Sequence, residues 1–103
     1  MGAEPVPASQ RIDRFLWFAR LAKTRSAAQG IAEKGTLRLD GRRIERSSAA
    51  VRVGCVLAFP LYGKVRVLRV EALPHRRGPP AEALACYQNL ITGENVSQEA
   101  RFD

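Results

Sequence analysis

The residues of this sequence best suited to chemistry are basic, and most of them lie in its first half. Ten arginines and lysines fall between Arg11 and Arg46, against four acidic residues in the same span. Fourteen of the 17 cations in the chain are arginines, whose planar guanidinium groups suit bidentate contacts with phosphate and base edges. A GC-rich genome would also explain the excess of arginine over lysine, but not its clustering. The pattern therefore predicts a positive surface whose partner is a nucleic acid.

The rest of the chain differs in charge. Residues 64–77 carry five cations and one anion, whereas residues 78–103 carry four acids and one arginine. The net charge of +7 is thus concentrated in the first half, and the end of the chain is acidic. Charge runs are usually only solvated faces. Here, however, cations flank both a predicted interhelical turn and a predicted hairpin, where several can converge on one backbone.

Hydrophobic spacing predicts two helices in this basic half. Apolar residues from Ile12 to Ala19 recur at the i, i+3, i+4, i+7 spacing of an amphipathic helix. A second helix is predicted from Thr24, a capping residue, to about Lys34, with Gly35 as its left-handed C-terminal residue. Its predicted inner face consists of Ala27, Ala28 and Ile31. Small side chains allow the two helices to approach closely around a short turn.

The hydrophobic period then changes from 3.6 to 2, which predicts a small, mostly antiparallel sheet. The Asp40-Gly41 pair is a strong signal for a tight turn within a hairpin. Two later runs rich in β-branched residues predict another pair of strands, joined through residues 60–64. The predicted strands are 36–39, 42–44, 51–59 and 65–70.

Trp17 and Phe18 form a second apolar face on the first predicted helix, beside Arg14. An exposed aromatic ring next to arginine could stack on an unpaired base. A small domain seldom leaves such rings in water, so we expect another element to cover this face. The expected cover is a third helix, predicted from Ala81 to about Leu90 after a proline-rich loop.

The sequence contains little catalytic chemistry. His75 has no acid or nucleophile at a recognisable spacing, and the scattered glycines form no phosphate-binding loop. Cys55 and Cys86 are too few for a structural zinc site, so we expect two packing residues and neither a metal nor another cofactor. Residues 1–10 lack the pattern of a signal peptide, and no stretch is apolar enough to span a membrane. These features favour a cytoplasmic protein without a membrane or small-molecule partner.

An ordered series of residue types runs through the basic half. Its members are the run from Arg11 to Trp17, the turn Lys23-Thr24-Arg25-Ser26, and Ala28, Ile31, Gly35, Asp40 and Gly41. Over about residues 11–58 this series resembles the S4 RNA-binding domain, also called the alpha-L RNA-binding motif. Further similarity is to a subfamily of small bacterial heat-shock factors associated with the ribosome. The positions that carry it are Leu16, Trp17, Arg20, the Lys23-Thr24-Arg25 turn, Arg76, Arg77 and Tyr87.

The resemblance implies non-catalytic binding of structured RNA by the two helices and the adjoining hairpin. The RNA surface it implies comprises Arg11, Arg14, Lys23, Thr24, Arg25, Arg42 and Arg43, and the charge clustering adds Arg38. For the subfamily it implies association with the large ribosomal subunit, so the expected partner is rRNA or tRNA there. Two other classes stay open: a protein-protein adaptor with an acidic partner, and a targeting module for a separate RNA-modifying enzyme.

Together these observations predict an α+β fold, in which a two-helix alpha-L motif packs on a small, mostly antiparallel sheet with a C-terminal helix. The expected organisation has three parts. Residues 1–10 are a disordered arm, residues 11–73 are the RNA-binding domain, and residues 74–103 are a loop, the C-terminal helix and an acidic tail.

Overall fold

A computed structural model of the protein describes residues 8–91. The helices in this range are α1 (Ile12–Phe18), α2 (Arg25–Glu33) and α3 (Pro80–Leu84). The strands are β1 (Gln10–Arg11), β2 (Leu37–Leu39), β3 (Arg42–Ile44), β4 (Ala50–Val51), β5 (Val56–Leu61), β6 (Lys64–Val70) and β7 (Tyr87–Ile91). Residues 1–7 of the expected arm and the expected acidic tail lie outside the described residues. Gln10, placed at the end of that arm, pairs with Val51.

Helix α1 buries the predicted apolar stripe and ends in a defined turn. The four residues of this stripe are at most 1% exposed: Ile12, Phe15, Leu16 and Ala19. The helix ends with Arg20 in the left-handed region at φ 61°. The Leu21 N–H donates to the Leu16 carbonyl at 2.9 Å, and the Arg20 N–H donates to the Trp17 carbonyl at 3.1 Å. This pair of bonds is the Schellman arrangement, which satisfies carbonyls at the end of a helix.

Helix α2 begins and ends as predicted. The Thr24 hydroxyl accepts a hydrogen bond from the Ala27 N–H at 3.0 Å, which is the N-cap bond, and Gly35 follows the helix at φ 84°. The predicted inner face was partly wrong. Ala28 and Ala32 are fully buried and Ile31 is half-buried against the core, whereas Ala27 is exposed.

Strands β3-β2-β5-β6-β7 form one antiparallel sheet in that order, which confirms the predicted α+β class. Side chains alternate between its two faces. One face joins α1 and α2 in a single core, to which the strands contribute Leu37, Leu57, Phe59, Leu68 and Val70. Strands β1 and β4 form a separate short pair.

Two turns define how the sheet is connected. Asp40 and Gly41 both have positive φ, 52° and 85°, and form the predicted tight turn of the β2–β3 hairpin. The Asp40 carboxylate also accepts a hydrogen bond from the Val56 N–H at 2.8 Å, which ties the hairpin to β5. The predicted strand 51–59 is divided, because residues 52–55 turn through Gly54 at φ 95°.

The prediction of a third helix reaching Leu90 was wrong. Helix α3 ends at Leu84, and residues from Tyr87 to Ile91 form β7, which pairs antiparallel with β6. Pairing satisfies backbone groups of β6 that would otherwise lie at an open sheet edge. This long-range gain outweighs the local helical pattern of a five-residue segment.

Candidate nucleic-acid interface

The connection between α1 and α2 presents a compact basic segment, here called the basic turn, which consists of Lys23, Thr24 and Arg25. All three residues are exposed. The N-cap bond of Thr24, an interaction worth about 1 kcal/mol, fixes where α2 begins. Two cations therefore flank the N-terminus of a helix, whose unpaired N–H groups and dipole also favour an anion. This combination suits a phosphate group.

A loop distant in sequence holds the basic turn in place. The Arg77 guanidinium donates to the Trp17 carbonyl at 2.6 Å and to the Ala22 carbonyl at 3.1 Å. In the opposite direction, the Arg20 guanidinium donates to the Gly78 carbonyl at 2.6 Å. Arg77 thus joins the last turn of α1 to the residue that precedes the basic turn. The two segments are fixed to each other by reciprocal bonds.

Two guanidinium groups lie over the Trp17 ring. Arg25 is 5.3 Å from the ring centroid and Arg77 is 5.6 Å from it, both within cation–π range. Arg25 is therefore oriented by packing against a half-buried ring.

The cover expected over the second face of α1 is incomplete at Phe18. That side chain is half-buried and lines a cavity together with residues of the 74–78 loop, Ala83 of α3 and Cys86. Helix α3, which is shorter than predicted, and the loop border this cavity.

Arg11 is engaged within the chain. Its guanidinium forms a bidentate pair with Asp13, at 3.0 Å and 2.9 Å between nitrogen and carboxylate oxygens. Burial by itself raises the pKa of Asp13, but the charge and hydrogen bonds of Arg11 oppose it, together with the Arg14 N–H and the Gln29 amide. The net effect holds the pKa of Asp13 below its ordinary value, and the same pair raises the pKa of Arg11. The ion pair thus joins Arg11, the residue before α1, to the first turn of that helix.

This pair predicts a specific dependence of stability on pH. In the unfolded chain Asp13 titrates at about 3.9, and in the folded protein it titrates lower. Its contribution to the free energy of unfolding is therefore complete above pH ~4 and is lost as the pH falls through the folded pKa. We expect the difference in unfolding free energy between wild type and Asp13→Asn to shrink across that acid range in denaturant titrations. A difference independent of pH would contradict this role.

The hairpin cations divide between the two faces of the sheet. Arg42 stands opposite Leu39, which packs on the core, so Arg42 lies on the same side as the helices. Arg38 and Arg43 stand opposite each other on the other side, and Arg43 forms an exposed ion pair with Glu45 at 2.8 Å.

The structure therefore brings only some of the predicted site residues together. Lys23, Thr24 and Arg25 are adjacent, Arg42 lies on the helix side of the sheet, and Arg14 is exposed on α1. Arg77 was absent from the predicted set. The Arg76-Arg77 pair was visible in the sequence, but bonds spanning 55 and 60 residues have no local signal.

Other kinds of site find no support in the described part of the chain. No three His, Cys, Asp or Glu side chains among residues 8–91 are grouped closely enough to hold a metal ion. None of the described helices is long and apolar enough to cross a membrane. Burial, and secondarily the Glu82 carboxylate, raise the pKa of the Cys86 thiol, consistent with a packing residue.

Comparison with known proteins agrees with this geometry. The S4 domain family matches residues 10–57. Heat shock protein 15 of Escherichia coli K12 is 31% identical over 92 residues, which are 89% of this chain and 67% of that protein. The heat shock protein 15 homolog of Haemophilus influenzae is 33% identical over 89 residues, 86% of this chain and 67% of that protein. The trimeric structure of Vibrio cholerae heat shock protein 15 superposes with a TM-score of 0.77 at 25% identity, covering 92% of this chain and 93% of that one.

The fold, the basic turn and the family match define an RNA-binding module of the S4 type. Within that class, the chain belongs to the heat shock protein 15 family.

Proposed function

We propose that this chain binds structured RNA of the large ribosomal subunit as a non-catalytic, ribosome-associated factor of the cytoplasm. The observation that carries the proposal is the basic turn, which two cations and a helix N-terminus form on a backbone fixed by Arg77. Membership of the heat shock protein 15 family supports the ribosomal partner.

Double-helical RNA fits a rigid basic turn better than single-stranded RNA does. The A-form major groove is too deep and narrow for side chains to read, so duplex RNA is recognised through its phosphates, its 2′-hydroxyls and its shape. Cations held at fixed separation can match phosphates that are themselves at fixed separation. In this proposal Arg42 and Arg14 extend the contact with RNA from the basic turn along the helix side of the molecule. Arg38 and Arg43 lie on the other side of the sheet, so RNA would reach them only around the edge of the hairpin.

Crosslinking in living bacteria, followed by sequencing of the attached RNA, tests the ribosomal part of the proposal. We expect the reads to concentrate on a few structured segments of large-subunit rRNA. The same chain with Lys23→Ala and Arg25→Ala is the matched control and should lose those segments. Reads spread evenly over cellular transcripts would contradict the proposal. A partner that stays bound after RNase treatment would instead favour a protein adaptor.

A further inference from the structure

The turn between β5 and β6 exposes an aromatic ring. Tyr62 is 73% exposed, more than the other large apolar or aromatic side chains described. The sequence placed this residue within a five-residue connection, 60–64, but the strands extend to Leu61 and Lys64 and leave Tyr62-Gly63 as a two-residue turn.

The backbone at this turn disfavours a tyrosine. Tyr62 has φ 52° and Gly63 has φ 80°, so both central residues of the turn lie in the left-handed region. Asn, Asp and Gly are the residues preferred there, because a larger side chain crowds the neighbouring carbonyl. The tyrosine therefore costs stability in the folded protein and gains little packing in return. A side chain that opposes its local backbone in this way points to a function.

Tyr62 lies beside the basic turn. The Lys23 ammonium is 5.8 Å from the centre of the Tyr62 ring, within cation–π range. Two segments separated by almost forty residues in sequence thus bring an exposed ring and a phosphate-binding candidate together. Lys64 places a further cation at the end of the same hairpin.

We propose that Tyr62 is a stacking platform for an unpaired RNA base that adjoins the duplex held by the basic turn. Nucleic-acid sites that accept single strands combine cations along the backbone with aromatic rings on which bases stack. Lys23 would hold the phosphate between the paired and the unpaired nucleotide, and Tyr62 would receive the base. Because every base has a flat face, this contact selects a duplex-to-single-strand junction and tolerates different sequences.

The inference rests on the proposed RNA-binding function and adds the class of RNA. A ring beside the Lys23 ammonium fits an unpaired nucleotide better than an apolar protein surface, which would bury that ammonium without a counter-charge.

Two synthetic RNAs test the inference with the full chain. One is a blunt RNA duplex, and the other is the same duplex with an unpaired 3′ tail of adenosines that includes 2-aminopurine. We expect the chain to bind the tailed duplex roughly fivefold or more tightly than the blunt one. Stacking on Tyr62 should also change the fluorescence of 2-aminopurine on binding.

Substitutions at Tyr62 separate stacking from a structural role. Tyr62→Phe keeps the ring and should retain the preference for the tailed duplex, while Tyr62→Leu keeps the bulk and should lose it. Tyr62→Asn should also lose the preference although it relieves the turn, so its thermal midpoint should be equal to or above that of the wild type. These opposite changes in stability and binding are not expected of a residue that merely supports the fold.

The outcomes are distinguishable. Binding of the blunt duplex without any gain from the tail would overturn the inference and leave the proposed function intact. An equal loss on both RNAs in Tyr62→Leu, or an unchanged preference in Tyr62→Asn, would also overturn the inference. Failure of the wild type to bind either RNA would contradict the proposed function and the inference together.

Discussion

Replacing both Lys23 and Arg25 by alanine is expected to weaken binding of structured RNA by about 30-fold while the domain remains folded. Each cation contributes about 1 kcal/mol when it contacts a phosphate, so the pair contributes roughly 2 kcal/mol. Both side chains are exposed and neither forms an ion pair with another residue between 8 and 91, so their loss should leave the core undisturbed. Fluorescence anisotropy with a labelled RNA duplex measures the change.

A charge-matched variant shows whether position or total charge matters. Arg52→Ala with Arg69→Ala removes the same charge at two exposed positions outside the basic turn. Arg69 projects from the face of the sheet opposite to its buried neighbours Leu68 and Val70, and it already pairs with Glu71 at 3.3 Å. We expect this variant to bind nearly as well as the wild type. Equal weakening by both double variants would mean that binding depends on overall charge and would contradict the assigned surface.

Arg77→Ala is expected to destabilise the fold and to weaken RNA binding, although Arg77 contacts no phosphate in this account. The substitution removes two charge-assisted hydrogen bonds and leaves the Trp17 and Ala22 carbonyls without that partner. Because the side chain is half-buried, we expect a loss of about 2 kcal/mol in the free energy of unfolding. For a domain of this size that corresponds to a fall in thermal midpoint of roughly 8–16 °C.

Two further measurements separate positioning from direct contact. Arg76→Ala is the neighbouring control: it removes an exposed ion pair with Glu82 at 3.0 Å, and such pairs contribute about 0–1 kcal/mol. Arg77→Ala should be measured at a temperature where the variant remains folded. Its affinity for RNA should fall, while the salt dependence of that affinity should stay equal to that of the wild type. A decrease of about one in the slope of log K against log salt would show instead that Arg77 binds a phosphate itself.

The parts of this fold that could be predicted are those that neighbouring residues determine. The stripe from Ile12 to Ala19, the Thr24 cap and the Asp40-Gly41 turn each act within a few residues. Sequence spacing alone therefore located both helices and the hairpin, and with them the basic turn.

The parts that could not be predicted depend on contacts between distant segments. Residues 87–91 continue a local helical pattern but become a strand because β6 offers an edge. The contact of Lys23 with Tyr62 likewise exists only once the sheet has formed.

The central claim is that fixed cations bind the phosphates of folded RNA, and its most direct test is the salt dependence of affinity. Binding of a blunt RNA duplex should be measured from low to moderate NaCl concentration. If five or six phosphates are neutralised, log K falls with log salt at a slope on the order of −4 to −5. A flat dependence would contradict the account, because binding would then not be governed by the release of counterions.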